Sequence, residues 1–580
     1  LRGIAVSPGV VVSKAYCVHR ATIALQTAEI GEEQVSSELA KFSEARENAL
    51  SELRAVQKQV AMQVGIDEAA IFGSHAAILG DESFSNQVAR YILEKHQTAG
   101  TALQSVQDDY APIFAAIESE YLRERMADLR DIVHRVKKHL SDAPEIHLRE
   151  LSGILVVDDL LPSDLIPIGN QEIVGVLTQY GGRTSHAAIL ARSRGIPAVS
   201  GIEGVLDHIC TGDTVIIDGH EGVVFVDPDR ETEHAYLKQQ REYIHFKEEL
   251  ATNRDQPAVS ADGQAMELLA NVNSLADVDT AVRVGAAGIG LFRTEYLFLT
   301  HPSVPDEEEQ VETYGAIIAA SPGRVVTIRT LDIGGDKILP YLGTPREANP
   351  FMGWRSIRLS FEYPEFFIRQ IRAILRAAAT QEKEVRLLFP MITTRDEVLR
   401  VRRMVVRAQR QLENEHKDYG TVLLGIMIEV PAAAMSIRLF LDIVDFVSIG
   451  SNDLIQYLTA ADRDNPKVNH LCQPLLPAVL QVLANVIDVC QSTGKPVTLC
   501  GEMAGSLRAF PLLFGMGLRS YSMSPAFIPT IKQLASRITQ EQTRKVLQRA
   551  LQMKSARQVE HFMDRYLENT APDLMLMESK

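Results

Sequence analysis

Eight short apolar runs constrain this chain more than any other feature. "MELLANVN", "AGIGLFRTE", "RVVTIRTLD", "VRLLFPMI", "LLGIMIEV", "FVSIGSND", "PVTLCGEM" and "SYSMSP" lie between Met266 and Pro525, separated by segments of helical spacing. A strand with near-continuous apolar character is buried on both faces, which is the signature of a parallel sheet covered by helices. Eight such units in succession predict a closed (β/α)8 barrel over residues 261–580, with an open doubly wound sheet as the alternative topology.

Upstream of Asp262 the texture differs. Val35, Leu39, Phe42, Ala49, Leu53, Val56 and Val60 recur three, four or seven apart, as along one face of a long helix, and helical patterning continues to about Leu140. Strand-like runs flank it: "GIAVSPGVVVSKAYCV" before, then "SGILVVDD", "VGVLT" and the hairpin pattern "DTVIIDGHEGVVFVDP". The expected organisation is an α/β multidomain chain: an α/β domain from residues 1–20 and 145–228, an inserted helical subdomain over 21–144, a charged linker helix over 229–260, and the barrel. A chain of 580 residues exceeds what one core serves, which agrees with several domains.

The composition excludes several classes of function. A formal net charge of −16 disfavours nucleic acid as a partner. The opening "LRGIAVSPGVVVSKAYCV" lacks the regions of a signal peptide, and no apolar run is long enough to span a bilayer, so a cytoplasmic location without membrane insertion is expected. Cys17, Cys210, Cys472, Cys490 and Cys500 show neither zinc spacing nor a disulfide pattern.

In a barrel of this kind the active site lies at the C-terminal ends of the strands. Those ends carry Arg293, Arg329 with Asp332, Glu429, Asn452 with Asp453, and Cys500 with Glu502, and Arg355 and Arg463 can join them. Arginines from different strands fork onto phosphate or carboxylate oxygens, so the substrate is expected to be a small polyanion. Glu429 and Asp453 offer the hard oxygens that Mg²⁺ prefers when a substrate completes its octahedron. The duller readings are structural ion pairs, a strand ending at Pro431, a helix cap in "SND", and an inert buried thiol at Cys500 rather than a proton donor to carbon.

"GGRTSHAAILARSRGIPAVSG", from Gly181 to Gly201, places a lone histidine, His186, at the start of an alanine-rich helical pattern. One reading is a local hydrogen bond at a helix N-terminus. The other is a neutral nucleophile whose phosphorylated form the helix N-terminus and Arg183 would favour. With no GxxxxGK[ST] loop in the chain, the phosphoryl donor is expected to be something other than ATP.

Taken together, "SPGV", "YLRERMADLRDI", "GGRTSHAAILAR", "GLFRTEYLF", "RTLDIGGDK", "NPFMGWRSIR", "SIGSNDLIQYLTAADRDN" and "LCGEMAG" span essentially the whole length. In these motifs the chain resembles Enzyme I of the bacterial sugar phosphotransferase system, the phosphoenolpyruvate-protein phosphotransferase family. The resemblance implies that His186 is phosphorylated on Nε2 by phosphoenolpyruvate held by Arg293, Arg329, Arg355, Asn452 and Arg463. It also implies Mg²⁺ on Glu429 and Asp453, and Cys500 as the donor that turns departing enolpyruvate into pyruvate. Transfer to a histidine of the carrier HPr, docked on the helical subdomain, and a homodimer through the barrels are implied as well.

The sequence departs from the common pattern at Ala187 and Leu165, where many members have threonine, and at Ala76 and Ala77 beside His75 in the docking helix. A nitrogen-branch member would be expected to carry a sensory domain ahead of "LRGIAVSPGV", and a dikinase or synthase would need an ATP-binding domain. A catalytically silent regulator that binds a phosphocarrier is the remaining alternative, against which the intact set of ligands and Cys500 argues.

Overall fold

The structure, a computed structural model, describes residues 1–7, 9–18, 30–63, 66–115, 129, 131–133, 135–140, 152–158, 173–179, 191, 196–300, 304–334, 347, 349–379, 382–463, 465 and 467–575. The chain divides into two compact units, and the division falls after Phe246.

The N-terminal unit is built on a seven-stranded sheet. Its strands are β1 (Ile4–Ser7), β2 (Val10–Val18), β3 (Gly153–Val157), β4 (Ile173–Thr178), β5 (Ala198–Ser200), β6 (Thr214–Asp218) and β7 (Val223–Val226), in the order β1-β5-β4-β3-β2-β6-β7. β2, β3, β4 and β5 pair in parallel; β1, β6 and β7 add antiparallel edges. Every residue of β3 is buried, as expected for a central strand. The expected hairpin is present as β6 and β7, with Ile216 facing Phe225.

Between β2 and β3 in sequence come α1 (Glu32–Gln63), α2 (Ile66–Gly80), α3 (Glu82–Lys95) and α4 (Ala99–Ala115). The periodic face of α1 is real: Phe42, Ala49 and Leu53 are buried, with Val35, Leu39 and Val56 packed against the same cluster. That cluster takes Phe72 and Leu79 from α2, Val88 and Ile92 from α3, and Leu103 from α4. Each such side chain contributes about 1.5–3 kcal/mol of burial. His75 of α2 turns into this interior, only 1% exposed, with Nδ1 3.3 Å from Asp131. Arg135 stands 3.8 Å from Asp131 and donates to Glu52 at 2.8 Å. Helix α5 (Arg230–Thr252) follows β7.

The second unit closes into an eight-stranded parallel barrel. Its strands are β8 (Glu267–Val272), β9 (Gly288–Arg293), β10 (Val325–Arg329), β11 (Glu384–Phe389), β12 (Leu423–Ile428), β13 (Phe446–Ile449), β14 (Val497–Leu499) and β15 (Ser520–Met523). Pairing of Tyr521 with Leu268 joins β15 to β8, which disposes of the open-sheet alternative. Each strand coincides with one of the eight apolar runs, because in a barrel wrapped by helices both faces of a strand are dry. The helices start where the sequence offers caps: Ser274 with Asp277, Asp306 with Glu309 and Thr394 with Glu397 form reciprocal capping boxes. Inside, Leu291, Leu388, Met427, Phe446 and Cys500 pack together. Gly425 makes room for the Phe446 ring, which a side chain there would strike. Among the described residues no helix is long and apolar enough to cross a membrane.

Candidate active site

The barrel topology carries the expected polar residues to one end. Arg293 and Arg329 are the last residues of β9 and β10, Glu429 follows β12 directly, and Cys500 follows β14. Asn452 and Asp453 lie in the first turn of the helix Ser451–Thr459. This corrects one reading of "SND": the N-cap is Gly450, without a side-chain cap, so these side chains are not spent on capping.

Asp332 is the pivot. Its Oδ2 lies 3.2 Å from Arg329 Nη1, and its two oxygens accept from Arg355 Nη2 at 3.2 and 3.1 Å. Arg355 Nη1 continues to Asp453 Oδ1 at 3.3 Å, and Arg463 Nη1 stands 3.8 Å from the same oxygen. Arg329, Arg355, Asp332 and Asp453 are all buried. Burial works against the charge of both arginines, but the surrounding carboxylates outweigh it and raise both pKa values, so both stay cationic.

Glu429 is the group this network leaves unsettled. It is 1% exposed; its Oε1 accepts the Met391 N–H at 2.5 Å, and its buried Oε2 has no hydrogen-bond partner. Burial, then the charges of Asp453 and Asp332, push its carboxyl up to about 8, against the pull of Arg329 and Arg355. Two residues beside these groups adopt left-handed backbone: Met391, whose N–H meets Glu429, at φ 56, and Ser356, next to Arg355, at φ 58. Gly450 passes so close that a Cβ there would come within 2.9 Å of Glu429 Oε2. At Gly334, with φ +102, a Cβ would lie 2.5 Å from that of Arg355.

Cys500 is buried, and its sulfur accepts from Ser448 Oγ at 3.2 Å while its thiol donates to the Ile449 carbonyl at 3.4 Å. Burial pushes the thiol up to about 11, and the Ser448 hydrogen bond and the charges of Arg329 and Arg293 only partly oppose it, so the proton is present at neutral pH. Asn452 sits in a two-bond ring with Glu502: its Nδ2 donates to Glu502 Oε1 and its Oδ1 accepts the Glu502 N–H, both at 3.0 Å.

Sequence reasoning missed the supports. Glu295 accepts from Arg329 Nη2. Tyr457 accepts from Arg355 Nη1 at 3.1 Å and donates to the Phe351 carbonyl at 2.5 Å. Ser448 was hidden in an apolar strand, where the signal would have been a hydroxyl at the register facing Cys500. His186, Arg183, Ala187 and Leu165 lie outside the described residues.

Comparison with known proteins converges on one chemistry. The PEP-utilising enzyme families match as N-terminal domain over residues 2–125, mobile domain over 150–222 and PEP-binding domain over 247–540. The phosphoenolpyruvate-protein phosphotransferase of Staphylococcus carnosus (strain TM300) is 37% identical over 572 residues, covering 98% of this chain and 99% of that protein. The proteins of the same name from Haemophilus influenzae and Listeria innocua are 36% and 38% identical, again over 98% of this chain and 99% of theirs. An NMR solution structure of Enzyme I (nEIt) aligns over 42% of this chain and 99% of its own, at 34% identity and a TM-score of 0.35. Matched end to end by relatives of a single activity, the chain belongs to the phosphoenolpyruvate-protein phosphotransferase family, enzymes that move a phosphoryl group from phosphoenolpyruvate to protein.

Proposed function

We propose that the mouth of the barrel binds phosphoenolpyruvate and that His186 takes the phosphoryl group. The observation that carries this reading is the chain of buried charge from Arg329 through Asp332 and Arg355 to Asp453, ending beside an unsatisfied Glu429 and a protonated Cys500. Arg293, Arg329, Arg355, Asn452 and Arg463 hold the phosphate and carboxylate, the arginines exchanging part of their carboxylate contacts for substrate oxygens. His186 Nε2 attacks phosphorus, the bridging P–O bond breaks, and its electron pair stays on the enolate oxygen. Cys500 gives its proton to the methylene carbon, which completes pyruvate, and the Ser448 hydroxyl stays bonded to the thiolate left behind.

The residues present fit a divalent cation. Glu429 and Asp453 offer hard oxygens, and the orphaned Oε2 of Glu429 is the kind of buried atom a cation satisfies. Two carboxylates with substrate oxygens completing the shell suit Mg²⁺. Bound there, Mg²⁺ would neutralise charge on the enolate.

Residues 1–20 and 145–228 form the phosphohistidine domain, 21–144 the docking subdomain for HPr or a close relative, 229–260 the linker and 261–580 the barrel. Since His75 is buried against Asp131, the exposed face of α2 around Ala77 supports carrier contact rather than the histidine. A homodimer through the barrel is supported by Met435 and Leu439, 79% and 59% exposed just beyond β12. The cytoplasm is the compartment that suits this chemistry.

The test is incubation with phosphoenolpyruvate and Mg²⁺, without ATP, followed by intact mass at neutral pH. One acid-labile phosphoryl group and pyruvate are expected, with neither in His186→Ala. Phosphorylation of that variant, or none in the folded wild type, would overturn the assignment.

A further inference from the structure

Two of the five cysteines, Cys17 and Cys210, lie in the N-terminal unit and take no part in the chemistry above. Cys17 is near the end of β2, and the chain ahead of β6 runs antiparallel beside it. The Ala15 N–H donates to the Asp213 carbonyl at 2.8 Å, and the Gly212 N–H donates to the Ala15 carbonyl at 2.9 Å. Two residues thus face one, a bulge accommodated by Gly212 at φ +101. Beyond it the chain turns rather than continuing the ladder, the Asp213 N–H donating to the Cys210 carbonyl at 3.1 Å, and this turn sets Thr211 and the Ile209–Cys210 peptide group against Cys17. The Cys17 N–H bonds Thr211 Oγ1 at 3.0 Å, and its thiol donates at 3.0 Å to the carbonyl of Ile209, the peptide group whose nitrogen belongs to Cys210. The loop is held in place by Asp213 Oδ2, which accepts the Cys210 N–H at 2.7 Å.

We propose that Cys17 and Cys210 form a reversible dithiol–disulfide pair, a redox modification site that staples the end of β2 to the loop before β6. A disulfide needs Cα atoms about 4.4–6.8 Å apart, and the Cys17 sulfur already touches the peptide group that enters Cys210. Cys210 is exposed and meets the oxidant; Cys17 is half-buried and resolves. A charge on Cys210 is felt at Cys17, a further sign of their closeness. With hydrogen peroxide as oxidant, the Cys210 thiolate attacks one oxygen, the O–O bond breaks, and a sulfenic acid and hydroxide form, the hydroxide taking up the proton the thiol released to become water. Cys17, its proton lost, displaces hydroxide from that sulfur, giving the S–S bond and a second water. The peroxide gains the two electrons that the thiols lose, and a small dithiol reverses the step.

Limited hydrogen peroxide on the native full chain, then alkylation and non-reducing peptide mapping, tests this. The expected result is loss of two hydrogens per chain, a Cys17–Cys210 linked peptide, and recovery by dithiothreitol. In Cys17→Ser, Cys210 should instead advance to the sulfinic acid; in Cys210→Ser, at an exposed position, the link should vanish with the fold kept. Advance of wild-type Cys210 to sulfinic acid without a link, or indiscriminate pairing with Cys472, Cys490 or Cys500, would overturn the proposal.

Discussion

Both units bury a network of charge, and the two networks differ in how they close. In the helical part, His75, Asp131, Arg135 and Glu52 tie α2 and α1 to the segment around residue 135, and Glu52 also meets His139 at 2.8 Å. At the barrel mouth Arg329, Arg355 and Arg463 face Glu295, Asp332, Glu429 and Asp453, residues drawn from several different strand ends. One of them, Glu429, is held near a pKa of about 8 with an unmet oxygen. A buried ion network is therefore not in itself a site. The first ties helices together, whereas the second gathers residues from separate strand ends at the proposed substrate site.

The comparison can be broken from either side. The largest expected effect is on stability: Arg135→Met leaves Asp131 buried without its guanidinium neighbour and should cost about 3–5 kcal/mol in denaturant unfolding, with affinity for phosphoenolpyruvate unchanged. If that variant instead lost substrate binding, the division between a structural and a functional network would fail. Next, Arg355→Ala should lower kcat/KM for phosphoenolpyruvate by about 10²–10³, as removal of a preorganised charge at a reacting centre does.

A smaller effect sharpens the role of the thiol. Ser448→Ala removes one hydrogen bond to Cys500, worth about 0.5–1.5 kcal/mol. Alkylation of Cys500 followed against pH should shift to higher pH, pyruvate formation should slow by up to about tenfold, and Ser448→Thr should restore both. An unchanged alkylation profile would show that the hydroxyl does not act on the sulfur.

The smallest effect belongs to the barrel exterior, where Arg372 bridges Glu307 at 2.7 Å and Glu415 at 2.6 Å. The hydrogen bonds from Arg372 hold the Glu415 carboxyl down at about 2. A carboxyl depressed in the folded state stabilises above its unfolded pKa of about 4.3 and loses that contribution as pH falls towards about 2. Melting curves of Glu415→Gln should therefore show a shallower acid limb than wild type in that window, and parallel limbs would count against the linkage.

How much could be read in advance follows from the same physics. The eight barrel strands were legible because burial on both faces writes itself as an apolar run, and strand ends then name Arg293, Arg329, Glu429 and Cys500 by position alone. The buried face of α1 was legible from its period. The inward turn of His75 was not, since the phase of a polar residue on a short helix depends on what packs against it. Nor was the disposition of Asp332, which joins Arg329 at the end of β10 to Arg355, 23 residues beyond Asp332 along the chain.

Local order in the chain, then, determined the repeating strand and helix units, the closed barrel they imply, the family and the residue types brought to the strand ends, because periodicity and motif spacing are properties of neighbouring residues. Tertiary structure alone decided which charges cancel and which stay unmet: that Asp332 joins Arg329 to Arg355, that Ser448 meets Cys500, and that Glu429 keeps an orphaned oxygen. Those outcomes turn on distance and desolvation between residues far apart in the chain, and both are set only when the barrel closes.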